Sequence, residues 1–196
     1  MIKNILSAIG VLAVLAALIG YVTIGTKVSQ LHPDAMGYYM DMFNKVLETG
    51  SSADAMVRKV KIKDDISTED VIETLKETAA ENNFLVVGDS KMSVSGGIKK
   101  NGKRYIRILH FCSPSVAEKF IAYSQAFGAF MPCRILIVED DEGNRWLYTM
   151  SMELMLYGGK PLPPEMMKMA ETVRNLMYGM MDAAATGEDY EAPEDE

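Results

Sequence analysis

The sequence predicts an α+β fold, a mostly antiparallel sheet packed with helices and preceded by one N-terminal transmembrane helix. Three observations predict it. A long apolar run without charges lies near the N-terminus, β-type segments flank an acidic turn that contains glycine, and apolar residues recur at helical spacing between and after these segments. Beyond the first amphipathic helix the predicted order is β-α-β-β-α-β-β-α, which is typical of helices packed on an antiparallel sheet.

The composition narrows the classes of function. The chain has 196 residues and a net charge of −7, and much of the negative charge lies in the C-terminal tail. The remainder is nearly neutral, which does not favour nucleic acid as a partner. Two cysteines make no disulfide framework and fit no CxxC pattern. The 16 methionines indicate either adaptable core packing or a surface for a soft metal or a partner.

The apolar run covers residues 5–24 and reads ILSAIGVLAVLAALIGYVTI. As a helix it would be about 30 Å long, so it can contact membrane lipid across a whole bilayer. A cleaved signal peptide is the alternative, but the run exceeds the usual apolar region and no small-x-small cleavage site follows it. The flanking Lys3 and Lys27 give a slight charge bias, and we expect the N-terminus inside and the domain outside, in the periplasm or at the cell surface.

Small residues within this run approximate a contact face for a second transmembrane helix: Gly10, Ala13, Ala17 and Gly20. They indicate a homo-oligomer or other membrane protein subunits as partners. We divide the chain into an anchor (residues 1–27), a juxtamembrane amphipathic helix and linker (28–52), an α+β domain (53–185) and an acidic, disordered tail (186–196).

The juxtamembrane helix begins near Pro33 and ends at Gly50. Its apolar residues recur at three- and four-residue spacing: Met36, Met40, Phe43 and Leu47. Its charges are mixed, which argues against a basic helix on the membrane surface. The helix can therefore dock on the domain, on the bilayer surface or on a neighbouring subunit.

The domain begins with a predicted strand at residues 56–62. Ser67 and Asp70 form the capping pattern of a helix that runs to about Asn82, and Ile66 and Val71 can form its hydrophobic staple. A short strand at residues 84–87 follows, and residues 88–97 indicate a loop or a weak strand.

Residues 103–112 form the clearest strand. Alternation places Ile106, Ile108, His110 and Cys112 on one face and Tyr105, Arg107, Leu109 and Phe111 on the other. Pro114 then starts a helix to about Phe127, and residues 134–139 and 146–152 form a hairpin around the turn 140–144. The last helix covers residues 164–185.

The candidate ligands centre on the same strand. His110 and Cys112 share a face and could bind one metal or a haem iron. A hydrogen-bonded core histidine and a small buried thiol are the structural alternative. Cys133 could approach Cys112 to form a disulfide, a redox pair or a two-cysteine metal site.

Met150 and Met152, with Met155, form an MxMxxM run that resembles a copper(I) ligand set, and core packing is the alternative. No hydrolase, zincin, nucleotide-binding or dinucleotide fingerprint occurs, and two histidines leave little for general base catalysis. We therefore expect no enzymatic activity. The sequence does not identify a cofactor. We expect none, and copper and haem are the alternatives.

Three motifs carry a family resemblance: FCSP at residues 111–114, MPCR at 131–134 and the strand and turn ILIVEDDEGN. Over residues 60–153 the chain resembles the bacterial and archaeal family known as domain of unknown function 302. The resemblance implies a compact α+β domain, often dimeric, sometimes membrane-anchored and often encoded near sulfur or respiratory functions. It supplies no catalytic residues, and the Met-rich terminal helices and acidic tail depart from the family pattern.

The first functional hypothesis is a membrane-anchored extracytoplasmic binding or accessory domain, acting as a subunit of a membrane complex or oligomer. The alternative is a redox or metal/haem-binding module in the region of His110, Cys112 and Cys133. A third hypothesis, an enzyme that acts on sulfur compounds through a cysteine, is supported only by the family context.

Overall fold

The N-terminal part of the computed structural model is helical. The structure describes residues 2–95 and 103–190, so the last six residues of the predicted tail lie outside the described residues. Helix α1 (Ile2–Val28) is followed by α2 (Ala35–Thr49) and the short α3 (Ser52–Ala55). The stretch Ile9–Val28 of α1 has a mean hydropathy of 2.2 and is not buried against the protein, so it is long and apolar enough for a membrane span, a property that signal sequences share.

Five strands form one sheet in the order β1-β5-β4-β3-β2, and every neighbouring pair is antiparallel. Their bounds are Val57–Lys61 (β1), Leu85–Ser95 (β2), Lys103–Cys112 (β3), Cys133–Glu139 (β4) and Arg145–Met150 (β5). The α+β class and the antiparallel sheet are therefore confirmed.

The helices of the domain are α4 (Thr68–Glu81), α5 (Pro114–Tyr123), α6 (Glu153–Tyr157) and α7 (Pro164–Thr186), with a 3₁₀ turn at Gln125–Phe130. The predicted capping box starts α4, because the Asp70 amide donates to Ser67 Oγ at 3.0 Å and the Ser67 amide donates to Asp70 Oδ2 at 3.2 Å. Helix α2 ends at Gly50, whose positive φ of 68° provides the left-handed C-cap.

Helices α4 and α7 cover one face of the sheet. The strands contribute five side chains with no exposed surface to this core: Leu109, Phe111, Ile135, Ile137 and Leu147. Leu75 of α4 and Met177 of α7 are equally buried against them. Among the described residues, no strand side chain that points to the opposite face belongs to this core cluster. The second face of the sheet therefore has a different environment.

Several predicted boundaries need correction. Strand β2 continues to Ser95, so the loop alternative for residues 88–95 was wrong. Its polar residues are held in the strand because each pairs with β3. Helix α5 ends at Tyr123, β5 ends at Met150, and α6 was not predicted, since it has five residues and no side-chain cap.

Candidate functional site

The predicted ligands His110 and Cys112 lie on the same face of β3, as alternation indicates, and this is the face away from α4 and α7. His110 lies opposite Gly88, where a bulge shifts the register of β2. A Cβ at Gly88 would come within 3.0 Å of the His110 ring, so glycine permits the ring to lie directly on the neighbouring strand.

Cys133 points to the other side of the sheet. It pairs with Phe111 in the β3–β4 register, and Phe111 is fully buried under the helices. Because Cys112 is the next residue after Phe111, its side chain leaves the opposite face. Both cysteines are free thiols in the structure. The register thus places Cys133 on the opposite face of the sheet from His110 and Cys112. No group of three or more His, Cys, Asp or Glu residues in the described ranges is arranged to hold a metal.

Cys133 instead lines a small apolar cavity of about 70 Å³. Four methionines share its lining, two of them predicted ligands: Met131, Met150, Met152 and Met155. The walls are completed by aromatic rings from α5 and the 3₁₀ turn, including the edge-to-face pair Phe120–Phe127 with centroids 5.1 Å apart. The structure therefore brings together Cys133, Met150 and Met152 without His110 or Cys112.

Burial keeps both thiols protonated. It raises the pKa of Cys112 above its ordinary value, and it raises that of Cys133 to about 11, with a smaller contribution from the nearby Cys112. Since the thiolate is the nucleophile and the metal ligand, neither side chain is an activated nucleophile at neutral pH. A metal at Cys133 would have to displace its proton.

A larger cleft of about 750 Å³ adjoins this cavity and shares Phe130, Met150 and Met155 with it. The cleft lies between α2, α3, the ends of β1 and β5, and α6. Its polar lining carries both signs of charge: Asp41, Lys45, Asp54, Arg58, Lys59 and Glu153. Its volume lies within the range of small-molecule sites. Neither His110 nor Cys112 lines it.

Two charged side chains of the cleft, Arg58 and Glu153, are held by neighbouring side chains. Arg58 Nη2 donates to both carboxylate oxygens of Asp182, at 2.8 and 2.7 Å, and its guanidinium lies 4.7 Å from the Tyr178 ring centroid. The Tyr178 hydroxyl accepts from the Met152 amide at 3.0 Å and donates to Glu153 at 2.9 Å. This network fixes the wall of the cleft.

The pKa values in this network have opposite shifts. Burial raises the pKa of Tyr178 to about 12. For Glu153, burial alone would raise the pKa, but hydrogen bonds from Ser151 and Tyr178 lower it below its ordinary value. Glu153 is therefore ionised and Tyr178 protonated at neutral pH, which suits a structural wall and supplies no general base near neutrality.

The juxtamembrane segment is docked firmly on the domain by aromatic contacts. Tyr38 stacks on Tyr157 at 5.2 Å, and His32 lies 5.0 Å from the same ring. The Tyr39 hydroxyl donates to the Gly158 carbonyl at 3.0 Å, and the His32 amide donates to Gly159 at 2.8 Å. The predicted juxtamembrane helix is thus packed on α6 and on the two glycines that follow it.

The family assignment agrees with this fold. The sequence profile of "Domain of unknown function DUF302" matches residues 58–184, which is more than half of the chain. The chain belongs to the DUF302 family. No curated protein matches it. A similar solved structure is the crystal structure of an uncharacterized conserved DUF302 protein from Bacillus stearothermophilus, with 15% identity and a TM-score of 0.50 over 66% of this chain and 98% of that one.

The matched DUF302 region starts within β1, so α1 and α2 precede it. On α2 the predicted apolar stripe faces away from the domain: Met36, Met40, Phe43 and Leu47 are 49%, 51%, 54% and 67% exposed. Ala35 and Tyr38, on the other side of the helix, supply the contacts with the domain. Helix α2 therefore docks on the domain, as one of the three alternatives predicted, but its apolar stripe takes no part in that contact and stays exposed.

Proposed function

We propose that this DUF302 chain is a membrane-anchored extracytoplasmic accessory subunit that joins a membrane complex or oligomer through α2. The observation that carries the proposal is the exposed stripe of Met36, Met40, Phe43 and Leu47, which lies a few residues after an apolar helix long enough to span a bilayer. The spacing of 4, 3 and 4 residues is that of a coiled-coil seam, which buries such a stripe against another helix.

The charges of α2 favour a protein partner over the lipid surface. Asp34, Asp41 and Glu48 outnumber Lys45 on the rest of the helix, whereas helices that lie on anionic membranes are basic. The small-residue face of α1 also supports a protein partner, because small residues allow close contact between transmembrane helices.

The test compares two single substitutions that add the same charge to neighbouring positions of α2. Full-length protein is solubilised in detergent, and its mass and co-purifying subunits are determined by native mass spectrometry. We expect Phe43→Glu to dissociate the assembly and Asn44→Glu, which lies beside the stripe, to leave it intact. A wild-type protein that is monomeric and carries no other subunit would contradict the proposal.

The orientation is tested separately in intact cells. A membrane-impermeant maleimide should label Glu77→Cys, on the exposed side of α4, in a variant that lacks both native cysteines. Labelling only after the cells are opened would place the domain on the cytoplasmic side.

A second candidate function is a soft-metal site at Cys133. It is favoured by the cavity that gathers Cys133 with four methionines, since thiolate and thioether sulfur select copper(I). We expect the full-length protein to bind one copper(I) ion in competition with a chelator, Cys133→Ser to abolish binding and Met92→Leu to retain it. Equal binding by wild type and Cys133→Ser would refute the site. Haem has less support, because its predicted ligands His110 and Cys112 lie outside both cavities.

A further inference from the structure

Helix α2 forms one wall of the cleft of about 750 Å³, and it does so with the face opposite to its exposed stripe. The residues on this wall recur at helical spacing: Tyr38, Asp41, Met42, Lys45 and Thr49. The family match begins at Arg58, so α2 and α3 lie outside the region that this chain shares with the DUF302 family. The match therefore assigns nothing to this part of the cleft.

The wall that faces α2 contains a carboxylate whose bonded partners are neutral. Glu153 is half-buried, ionised at neutral pH and held by the hydroxyls of Ser151 and Tyr178. Among the described residues, no lysine or arginine forms an ion pair with it. A partly desolvated carboxylate gains from a cation in contact with it, so this wall favours a ligand that carries an ammonium group.

The α2 wall offers a second acid and a free base. Asp41 and Lys45 lie one helical turn apart, and neither side chain forms an ion pair with another residue in the described ranges. Residues at this spacing have Cβ atoms about 5–6 Å apart. The ammonium and carboxylate groups of an amino acid or a dipeptide are also separated by a few ångströms, so one ligand can meet both side chains.

The sum of the charges in the cleft favours a ligand with both signs of charge. Three acids and three bases line the cleft, and one of the bases, Arg58, is already paired with Asp182. A ligand without an ammonium group would leave the excess acid uncompensated. A ligand without a carboxylate would place a second positive charge beside Lys45.

The remaining lining is largely apolar, and methionine side chains adapt their shape to a ligand: Met42, Met56, Phe130, Met150, Leu154 and Met155. Phe130, Met150 and Met155 also line the adjoining cavity of about 70 Å³. That volume is roughly half of the about 150 Å³ that holds a benzene molecule in an apolar cavity. The space behind this wall therefore suits a short aliphatic side chain and is too small for the acyl chain of a lipid.

From these features we propose that the cleft binds a small zwitterion with an aliphatic body, an apolar amino acid or a short apolar peptide. Lys45 binds its carboxylate, and Asp41 and Glu153 bind its ammonium group. The aliphatic side chain packs on Met150 and Met155. This site uses the face of α2 opposite to the stripe, so it is independent of the assembly proposed above.

The first test is equilibrium dialysis of the full-length, detergent-solubilised protein against isotopically labelled L-leucine. L-leucyl-L-leucine, isoamylamine and isocaproate serve as competitors, since the last two are leucine without its carboxylate and leucine without its ammonium group. We expect leucine or the dipeptide to bind and each singly charged analogue to bind at least about threefold more weakly.

The second test removes one charge from the site at a time. Asp41→Asn should weaken leucine binding about threefold and leave isocaproate binding unchanged, whereas Lys45→Met should weaken leucine binding equally and leave isoamylamine binding unchanged. Glu48→Gln removes an acid from α2 outside the cleft and should bind leucine as wild type does. All three positions are exposed, so we expect wild-type melting temperatures.

Three results would overturn the proposal. The first is no binding of leucine or the dipeptide at millimolar concentration. The second is equal affinity for leucine and isoamylamine. The third is phosphatidylethanolamine that co-purifies with wild type and is lost from Asp41→Asn, because a lipid headgroup would then occupy the cleft. Phe43→Glu, which tests the assembly, should bind leucine as wild type does, so the two proposals can fail separately.

Discussion

The two faces of the sheet have similar apolar side chains and different neighbours. On one face Leu109, Ile137 and Leu147 have no exposed surface, because α4 and α7 cover them. On the other, Ile108, Leu136 and Tyr148 keep part of their surface. The comparison shows that an apolar strand pattern does not by itself determine the degree of burial: helices complete the cover on one face, and on the other face the side chains stay half-buried.

The largest effect should come from leucine-to-alanine changes on the two faces. Leu109→Ala should destabilise the protein by about 2–5 kcal/mol, because it opens a cavity in a fully packed core. Leu136→Ala should cost about 1 kcal/mol, since a half-buried side chain loses less apolar contact. Unfolding of detergent-solubilised protein at low concentration measures both. Equal losses would show that the second face is already covered within one chain.

The two thiols divide between the same faces and should differ in reactivity. Burial raises the pKa of both, and that of Cys133 reaches about 11, so its thiolate fraction at pH 8 is very low. We expect the Cys133→Ser variant, which retains Cys112, to be alkylated about tenfold or more faster than Cys112→Ser. The control is alkylation in denaturant, where the two rates should become equal. Faster reaction of Cys133 would contradict its position in the apolar cavity.

Local sequence signals predicted those parts of the fold that depend on local chemistry. The Ser67–Asp70 capping box, the Gly50 helix end and the turn before Trp146 are all confirmed, because each depends on residues within a few positions. The length of β2 was not predictable in the same way. Its polar residues gain their conformation from pairing with β3, which is a contact between distant segments.

The candidate site shows the same limit. Alternation along one strand correctly places His110 and Cys112 together, but the face of Cys133 depends on the register between β3 and β4. The roles of Arg58, Tyr157 and Tyr178 were missed. Their partners lie far away in sequence, and no local sequence pattern around an arginine or a tyrosine predicts a contact of this kind. The adjacent Tyr38 and Tyr39 were the one signal in the sequence, since a tyrosine ring tends to pack against protein and its hydroxyl to find a hydrogen-bond partner.

An ion cluster at the edge of the covered face should give a smaller effect. Asp89 accepts two hydrogen bonds from Arg107, each at 2.7 Å, and one from Lys76 at 2.8 Å. The bonds from Arg107 are the largest cause that holds the pKa of Asp89 well below its ordinary value near 4. Because the folded-state pKa is lowered, the stabilisation is present above pH 4 and is lost as the pH falls further.

Asp89→Asn should therefore reduce stability by about 1 kcal/mol or less at pH 7 and should flatten the loss of stability below pH 4. Melting temperatures between pH 2 and 7 measure both, with Asp41→Asn on α2 as the matched control. If the melting temperature of Asp89→Asn falls below pH 4 as steeply as that of wild type, the cluster contributes nothing to the stability of the fold.

The smallest effect is expected on the uncovered face of the sheet, and it tests whether that face is exposed to water. Lys59 Nζ lies 5.5 Å from the ring centroid of Trp146, the one tryptophan of the chain. Such a contact is worth about 0.5–1 kcal/mol when exposed and about 2 kcal/mol when desolvated. A double-mutant cycle with Lys59→Met and Trp146→Leu isolates it, and Lys61→Met on the same strand is the control. We expect a coupling of about 0.5 kcal/mol, because Lys59 is exposed in the single chain. A coupling of about 2 kcal/mol would contradict this expectation and would mean that the contact is shielded from water.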